Sequence, residues 1–375
     1  MKIDHNFFHK TRQLKTPFII YDLKEVEANY HNIARFFPEV SIYYAMKCNP
    51  DHSFIRSLDK IGSGFEIASL EEAKQLIKQG INTSNIICLH PVKSPEFLQY
   101  MARHKIDVLA VDSFEEVDKI AKYAPASKIV PRIVVDNEGS SWPLNGKYGI
   151  ESIEAPKLLE HILAKGLVPY GLTFHVGSQC VNEANWIKAL QICQDIWGKA
   201  RRRGIEFEFL SLGGGLPISY RKPVPDLRRT GHLILKQVRE NFTSQRGLKV
   251  SIEPGRAIAA TAGVTVTTVF GIATRGQTQW AYIEVGTYNG LVEAIETHDR
   301  QLYPLQVEHQ RRPRQIYNIG GPSCVALDTP FEDVELPQLR LGDRICILHT
   351  GAYSSTCAGP FNGFPLATPY YYHQL

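Results

Sequence analysis

Val40-Ser-Ile-Tyr-Tyr-Ala-Met-Lys-Cys-Asn-Pro50 decides the fold. Its first half is a β-branched and aromatic run that reads as a buried strand, and the chain then breaks before a helix-like stretch from His52 to Ile61. The same unit recurs on both sides. Upstream, Pro17-Phe-Ile-Ile-Tyr21 precedes Leu23 to Phe37; downstream, Gly64-Phe-Glu-Ile-Ala68 precedes Leu70 to Gln79, and Val108-Leu-Ala-Val111 precedes Ser113 to Ala121. Further strand candidates are Ile86 to Leu89, Ile129 to Val135, Pro169 to Phe174, Phe207 to Leu210 and Lys249 to Ile252, with helices expected at Pro156 to Ala164 and Ala184 to Arg202. About eight strand-helix units predict a (β/α)8 barrel of the α/β class, whose active site lies at the C-terminal ends of its strands.

Beyond residue 252 the rhythm changes. Gly263 to Ile272, Trp280 to Val285, Gln315 to Ile319 and Arg344 to His349 are β-branched or aromatic runs separated by Gly, Pro and Asp turns. A second, all-β domain is expected over 253–375, after a barrel spanning 16–252, and Tyr370 to Tyr372 reads as an edge strand or interface.

The composition agrees with a chain that folds. At 375 residues and 42.3 kDa there is material for two cores, and 21 % charged residues with 43 % apolar ones is ordinary globular usage. The formal charge of +4 is too small for an electrostatic nucleic-acid footprint. No run approaches the roughly 18 apolar residues of a membrane span, and the start of the chain lacks the apolar centre of a signal peptide. Seven cysteines without a CxxC or His/Cys grouping point to reduced thiols, no metal and a cytoplasmic location.

Several strand ends carry more than packing requires. Lys47 can be a snorkelling or ion-paired lysine, or a partly desolvated amine able to form a Schiff base. Ser211-Leu-Gly-Gly-Gly-Leu216 is either a tight turn or a loop whose amides close around an anion. Glu253-Pro-Gly-Arg256 adds a carboxylate suited to a protonated heterocyclic nitrogen and a guanidinium suited to phosphate. His175-Val-Gly-Ser178 offers a structural hydrogen bonder or a flat stacking surface, with Ser178 able to reach an anion. Together they form the set that a phosphorylated aldehyde cofactor needs.

Tyr44-Ala-Met-Lys-Cys-Asn49, His175-Val-Gly-Ser178, Gly213-Gly-Gly215, Glu253-Pro-Gly-Arg256, Gly321-Pro-Ser-Cys324, Gly351-Ala-Tyr353 and Phe361-Asn-Gly-Phe364 resemble, as an ordered set, the pyridoxal-phosphate decarboxylases of the ornithine and diaminopimelate decarboxylase superfamily. The resemblance implies an alanine-racemase-like barrel followed by a β domain that the N-terminal segment 1–15 joins. It implies a homodimer with shared sites and pyridoxal 5'-phosphate (PLP) as cofactor. Lys47 would carry the cofactor covalently, His175 would stack on its ring and Glu253 would meet the ring nitrogen. Ser178, Gly214, Gly215, Gly255, Arg256 and Tyr353 would surround the phosphate, with Glu66 nearby. Cys324 would enter the neighbouring subunit's site and protonate the carbon that has lost carbon dioxide.

The segments that face the substrate depart from the pattern. Val325 stands where ornithine decarboxylases have an acid, and Thr297 falls at a second acidic position, flanked by Glu296 and Asp299. The chain also lacks the Cys-Glu-Ser of diaminopimelate decarboxylases, while Phe361 keeps its place beside the substrate. The expected reaction is removal of the α-carboxylate from an amino acid, with a modified or conjugated diamino acid, as in metallophore assembly, ahead of ornithine or lysine. An amino-acid racemase is the more distant alternative.

Overall fold

In the computed structural model, residues 3–144, 146–242 and 247–375 are described. Two compact units emerge. One comprises Tyr30–Pro217 with Val224–Gly255; the other joins the chain up to Asn29, Ile218–Pro223 and Arg256–Leu375.

The first unit is the barrel. Strands Ser41–Ala45, Gly64–Glu66, Ile86–Ile87, Val108–Val111, Lys128–Ile133, Gly171–Phe174, Phe209–Ser211 and Lys249–Ile252 stand side by side in chain order. A parallel bridge between Cys88 and Leu109 links the third strand to the fourth, and Lys249–Ile252 pairs back onto Ser41–Ala45, closing the ring. Helices cover the outside, so strands such as Gly171–Phe174 are buried along their whole length. Helix starts follow the sequence chemistry: Asp51, Ser69, Ser94 and Ser113 each accept a first-turn amide, and Ser94-Pro95 opens a helix, Pro95–Arg103, that apolar periodicity alone had not marked. Inside, Ile87, Leu89, Ala110, Val130, Tyr170 and Phe209 pack as one cluster.

The second unit is built on Gly263–Arg275, a 13-residue strand. Its sheet runs Leu305–Val307, Arg344–Leu348, Gly263–Arg275, Thr278–Ile283, Arg314–Gly320 and Phe331–Pro337. A register shift between Val269 and Gly271 lets the long strand serve both halves. Phe7, Phe8, Phe18, Ile20, Val264, Val266 and Cys346 form a core on one side.

The expected boundaries of 1–15, 16–252 and 253–375 need correction. Phe18–Tyr21 is not a barrel strand: it pairs antiparallel with Gly263–Arg275 and parallel with Thr368–Tyr371. A fully buried four-residue run suits either sheet, so its apolar pattern could not say which one it would join. The β unit therefore takes the chain up to Asn29, adds Ile218–Pro223, and begins again at Arg256. Residues 1 and 2 of the N-terminal segment lie outside the described residues.

Candidate active site

Lys47 sits in the short turn Met46–Cys48 that directly follows the strand Ser41–Ala45, between the buried side chains of Met46 and Cys48. Next to it in the barrel, Glu66 ends its own strand and is buried. His175 follows Phe174, Ser211 ends Phe209–Ser211, and Glu253 follows Ile252. Lys47, Glu66, His175 and Glu253 line a single cavity together with Arg132, His90 and Thr173.

The charges there are interdependent. Ser211 Oγ donates a hydrogen bond to Glu253 Oε1, while burial and the charge of Glu66 raise the Glu253 pKa; Lys47 and Arg132 pull it back down. Burial, with Lys47 and Arg132 nearby, holds His175 well below the usual imidazole range, so its ring is neutral. Its Nδ1 accepts the Gly177 amide at 3.0 Å, which places the proton on Nε2. Burial and the cations Lys47 and Lys93 likewise push His90 down to about 4.

Beside these groups the chain turns through Gly213-Gly-Gly215. A Cβ on Gly213, at φ +67°, would lie 2.1 Å from the Phe174 carbonyl oxygen; one on Gly214 would lie 2.6 Å from that of Glu253 and 3.0 Å from His175 Nε2. Only a bare backbone passes here beside the imidazole. A Cβ on Gly255 would lie 2.8 Å from the Cys48 Cβ. Ser178 opens the strand Ser178–Cys180, which pairs with Ser140–Trp142.

The pyridoxal binding domain of the pyridoxal-dependent decarboxylases matches residues 23–260. A lysine/ornithine decarboxylase of Selenomonas ruminantium is 34 % identical over 359 residues, covering 95 % of this chain and 89 % of the relative. The chain belongs to the pyridoxal-dependent decarboxylases. Two solved structures agree with this: SrLDC in complex with PLP and cadaverine superimposes with a TM-score of 0.92 at 32 % identity, covering 100 % of this chain and 95 % of that one. The arginine decarboxylase of Paramecium bursaria Chlorella virus bound to agmatine gives 0.92 at 26 % identity, with 98 % of each chain covered.

This decarboxylase acts on an amino acid with PLP as its cofactor, and the racemase alternative falls away. The residues present fit the cofactor: an amine, a buried carboxylate, a neutral flat imidazole and a glycine turn that any Cβ would fill share the strand ends of one barrel.

The other expected site residues belong to the β unit. Arg256 is buried, and its guanidinium meets both carboxylate oxygens of Glu293, at 2.6 Å and 2.7 Å, and the Tyr220 hydroxyl at 2.7 Å. The Tyr353 ring lies 4.8 Å from its Cζ. Cys324 is exposed, with Sγ 3.9 Å from Asn362 Oδ1, and neighbouring Phe361 packs on Tyr288 at 4.6 Å between ring centroids. Thr297 donates to the Glu293 carbonyl at 2.7 Å, Asp299 holds Lys222 at 3.1 Å, Glu296 is exposed and Val325 is partly buried.

Arg132, His90 and Glu293 escaped the sequence reading. A charge inside the apolar run Lys128–Ile133 was the available signal for Arg132. Nothing local marks Glu293 as the arginine's partner.

Proposed function

We propose that this decarboxylase removes the α-carboxylate of a modified or conjugated diamino acid, acting in the cytoplasm as a homodimer with shared sites. The observation that carries the catalytic reading is the meeting of Lys47, Glu253 with its Ser211 donor, and neutral His175 at the C-terminal ends of the barrel strands.

When bound, PLP supplies an electron sink for the carbon that loses its carboxylate. Lys47 would hold the cofactor through its amine. Glu253 would hold the ring nitrogen; a buried carboxylate gains from a protonated nitrogen, and Ser211 keeps it oriented. Glu66 contributes a second negative charge on the same side. His175 presents a flat neutral face, its orientation set by Gly177. Gly214, Gly215, Ser178 and Gly255 would hold the phosphate, a role the resemblance also gives to Arg256 and Tyr353. Cys324 delivers a proton from Sγ to the product's α-carbon.

Exposure of Cys324 and of Phe361 supports the shared-site dimer, since a proton donor on a solvent-facing loop needs a second copy to enclose it. Seven free cysteines, with Cys324 and Cys357 exposed, suit a reducing compartment.

The substrate reading rests on Val325 and Thr297. Neither can neutralise an ammonium; Thr297 spends its proton on a carbonyl, and Asp299 is committed to Lys222. A distal ammonium buried against these groups would forfeit at least several kcal/mol of hydration. Ornithine or lysine is the second reading, favoured by identity to the Selenomonas enzyme and by the cadaverine bound to SrLDC. A panel of ornithine, lysine, diaminopimelate and acyl- or citryl-conjugated diamino acids, assayed for carbon dioxide and product amine, separates the two. A conjugate should show the highest kcat/KM; a clear preference for ornithine or lysine overturns the first reading in favour of the second.

A further inference from the structure

On the outside of the barrel unit, the helix Leu227–Phe242 presents Arg228, His232, Leu235 and Arg239 along one face. The end of the helix Leu23–Phe36 brings Arg35 and Phe36 to the same place, and the two segments bound a groove of about 520 Å³. Their approach is close: a Cβ on Gly231 would lie 2.4 Å from the Phe36 carbonyl oxygen.

The charge around this groove is one-sided. Its lining holds four arginines and a histidine against one acid, Asp226, whose carboxylate is engaged by the Arg229 amide at 3.0 Å. Glu183 answers Arg229 at 3.3 Å, and Glu240 faces Lys236 at 3.8 Å. Arg35 rests 5.4 Å from the Phe36 ring centroid. Among the described residues, Arg35, Arg228, His232 and Arg239 have no carboxylate partner. Basic groups four residues apart on a helix repel when charged, and cations in a first turn oppose the helix dipole. The fold tolerates this crowding in one spot although the whole chain carries only +4.

We propose that the groove binds a small ligand bearing two or more linked phosphates. Guanidinium forks match phosphate oxygens in pairs, and a groove of this size accommodates a small molecule. A long nucleic acid would need the basic surface to continue, whereas other barrel helices begin with acidic pairs, Glu71 with Glu72 and Glu115 with Glu116. The ligand's source is either free inorganic polyphosphate or the phosphate chain of a nucleotide.

The test is calorimetric titration of the PLP-loaded enzyme, so that the cofactor's own phosphate site is filled, with sodium tripolyphosphate and separately with ATP. One saturable site per chain is expected, weakened at least tenfold in an Arg228→Gln/Arg239→Gln variant whose decarboxylase activity is unchanged. Similar affinity for both probes assigns recognition to the phosphate chain, and tighter ATP binding assigns it to a nucleotide; either supports the proposal. Absence of saturable binding, equal affinity in the variant, or binding of RNA or an acidic protein alone would overturn it. None of these readings depends on which amino acid is decarboxylated.

Discussion

Glu293 grips Arg256 through both carboxylate oxygens, 37 residues apart in sequence, with both side chains withdrawn from water. Removing one member leaves the other's charge buried without compensation. Glu293→Ala should therefore destabilise the protein by about 3–5 kcal/mol, and Glu293→Gln by less because it keeps one acceptor. Urea unfolding of the cofactor-free protein measures this; a loss within experimental scatter for Glu293→Ala would show that the pair contributes nothing to the fold.

Glu72 gives a pH signature. Its carboxylate accepts the Ala68 amide at 2.6 Å, and burial together with the charge of Glu66 pushes its pKa up to about 7 from 4.5. A carboxyl raised on folding binds its proton more tightly in the native state, so its stabilisation is complete below about pH 4.5 and is lost as pH climbs through 7. Wild type should lose on the order of 2–3 kcal/mol across that window through this group. In Glu72→Gln that component is absent, so the stability difference between the two proteins should slope with pH. Urea midpoints at pH 5, 6, 7 and 8 provide the comparison; parallel curves would contradict it.

Two glycines should fail differently. Gly214→Ala pushes a methyl group toward His175 and the Glu253 carbonyl, whereas Gly231→Ala pushes one toward the Phe36 carbonyl in the helix layer. Cofactor affinity should fall about tenfold or more in Gly214→Ala, a cost of roughly 1.4 kcal/mol. Gly231→Ala should cost about 1–3 kcal/mol of stability while binding PLP nearly as wild type does. Fluorescence titration of apoprotein with PLP, beside thermal melts, reads both effects.

Subunit sharing can be tested by mixing inactive variants. If Lys47 and Cys324 of one site come from different chains, random exchange of Lys47→Ala with Cys324→Ala makes half the dimers mixed, each with one intact site. About one quarter of wild-type activity should return. Mass spectrometry confirms the heterodimer, and its formation without activity would place both residues in the same chain's site.

The barrel was legible because its repeat is local: each strand-helix unit carries its own apolar period and helix cap, as at Ser69 and Ser113. The candidate site residues are local in the same way: His175 and Glu253 directly follow readable strands, and Lys47 and the glycine turn begin one residue beyond theirs. Arg132 was lost inside its strand pattern, and His90 falls in a segment whose strand is only two residues long.

By itself, then, the amino-acid sequence determined the alternation of strands and helices, the change to β structure beyond residue 252, and which chemical groups stand at the barrel's strand ends. Tertiary structure alone decided which sheet takes Phe18–Tyr21, that Glu253 meets Ser211, and that Arg256 meets Glu293. The reason is physical. Periodicity and capping act over a few neighbouring residues, whereas these pairings join segments 37 to more than 200 residues apart, and such contacts form only after the surrounding core has excluded water and fixed the geometry.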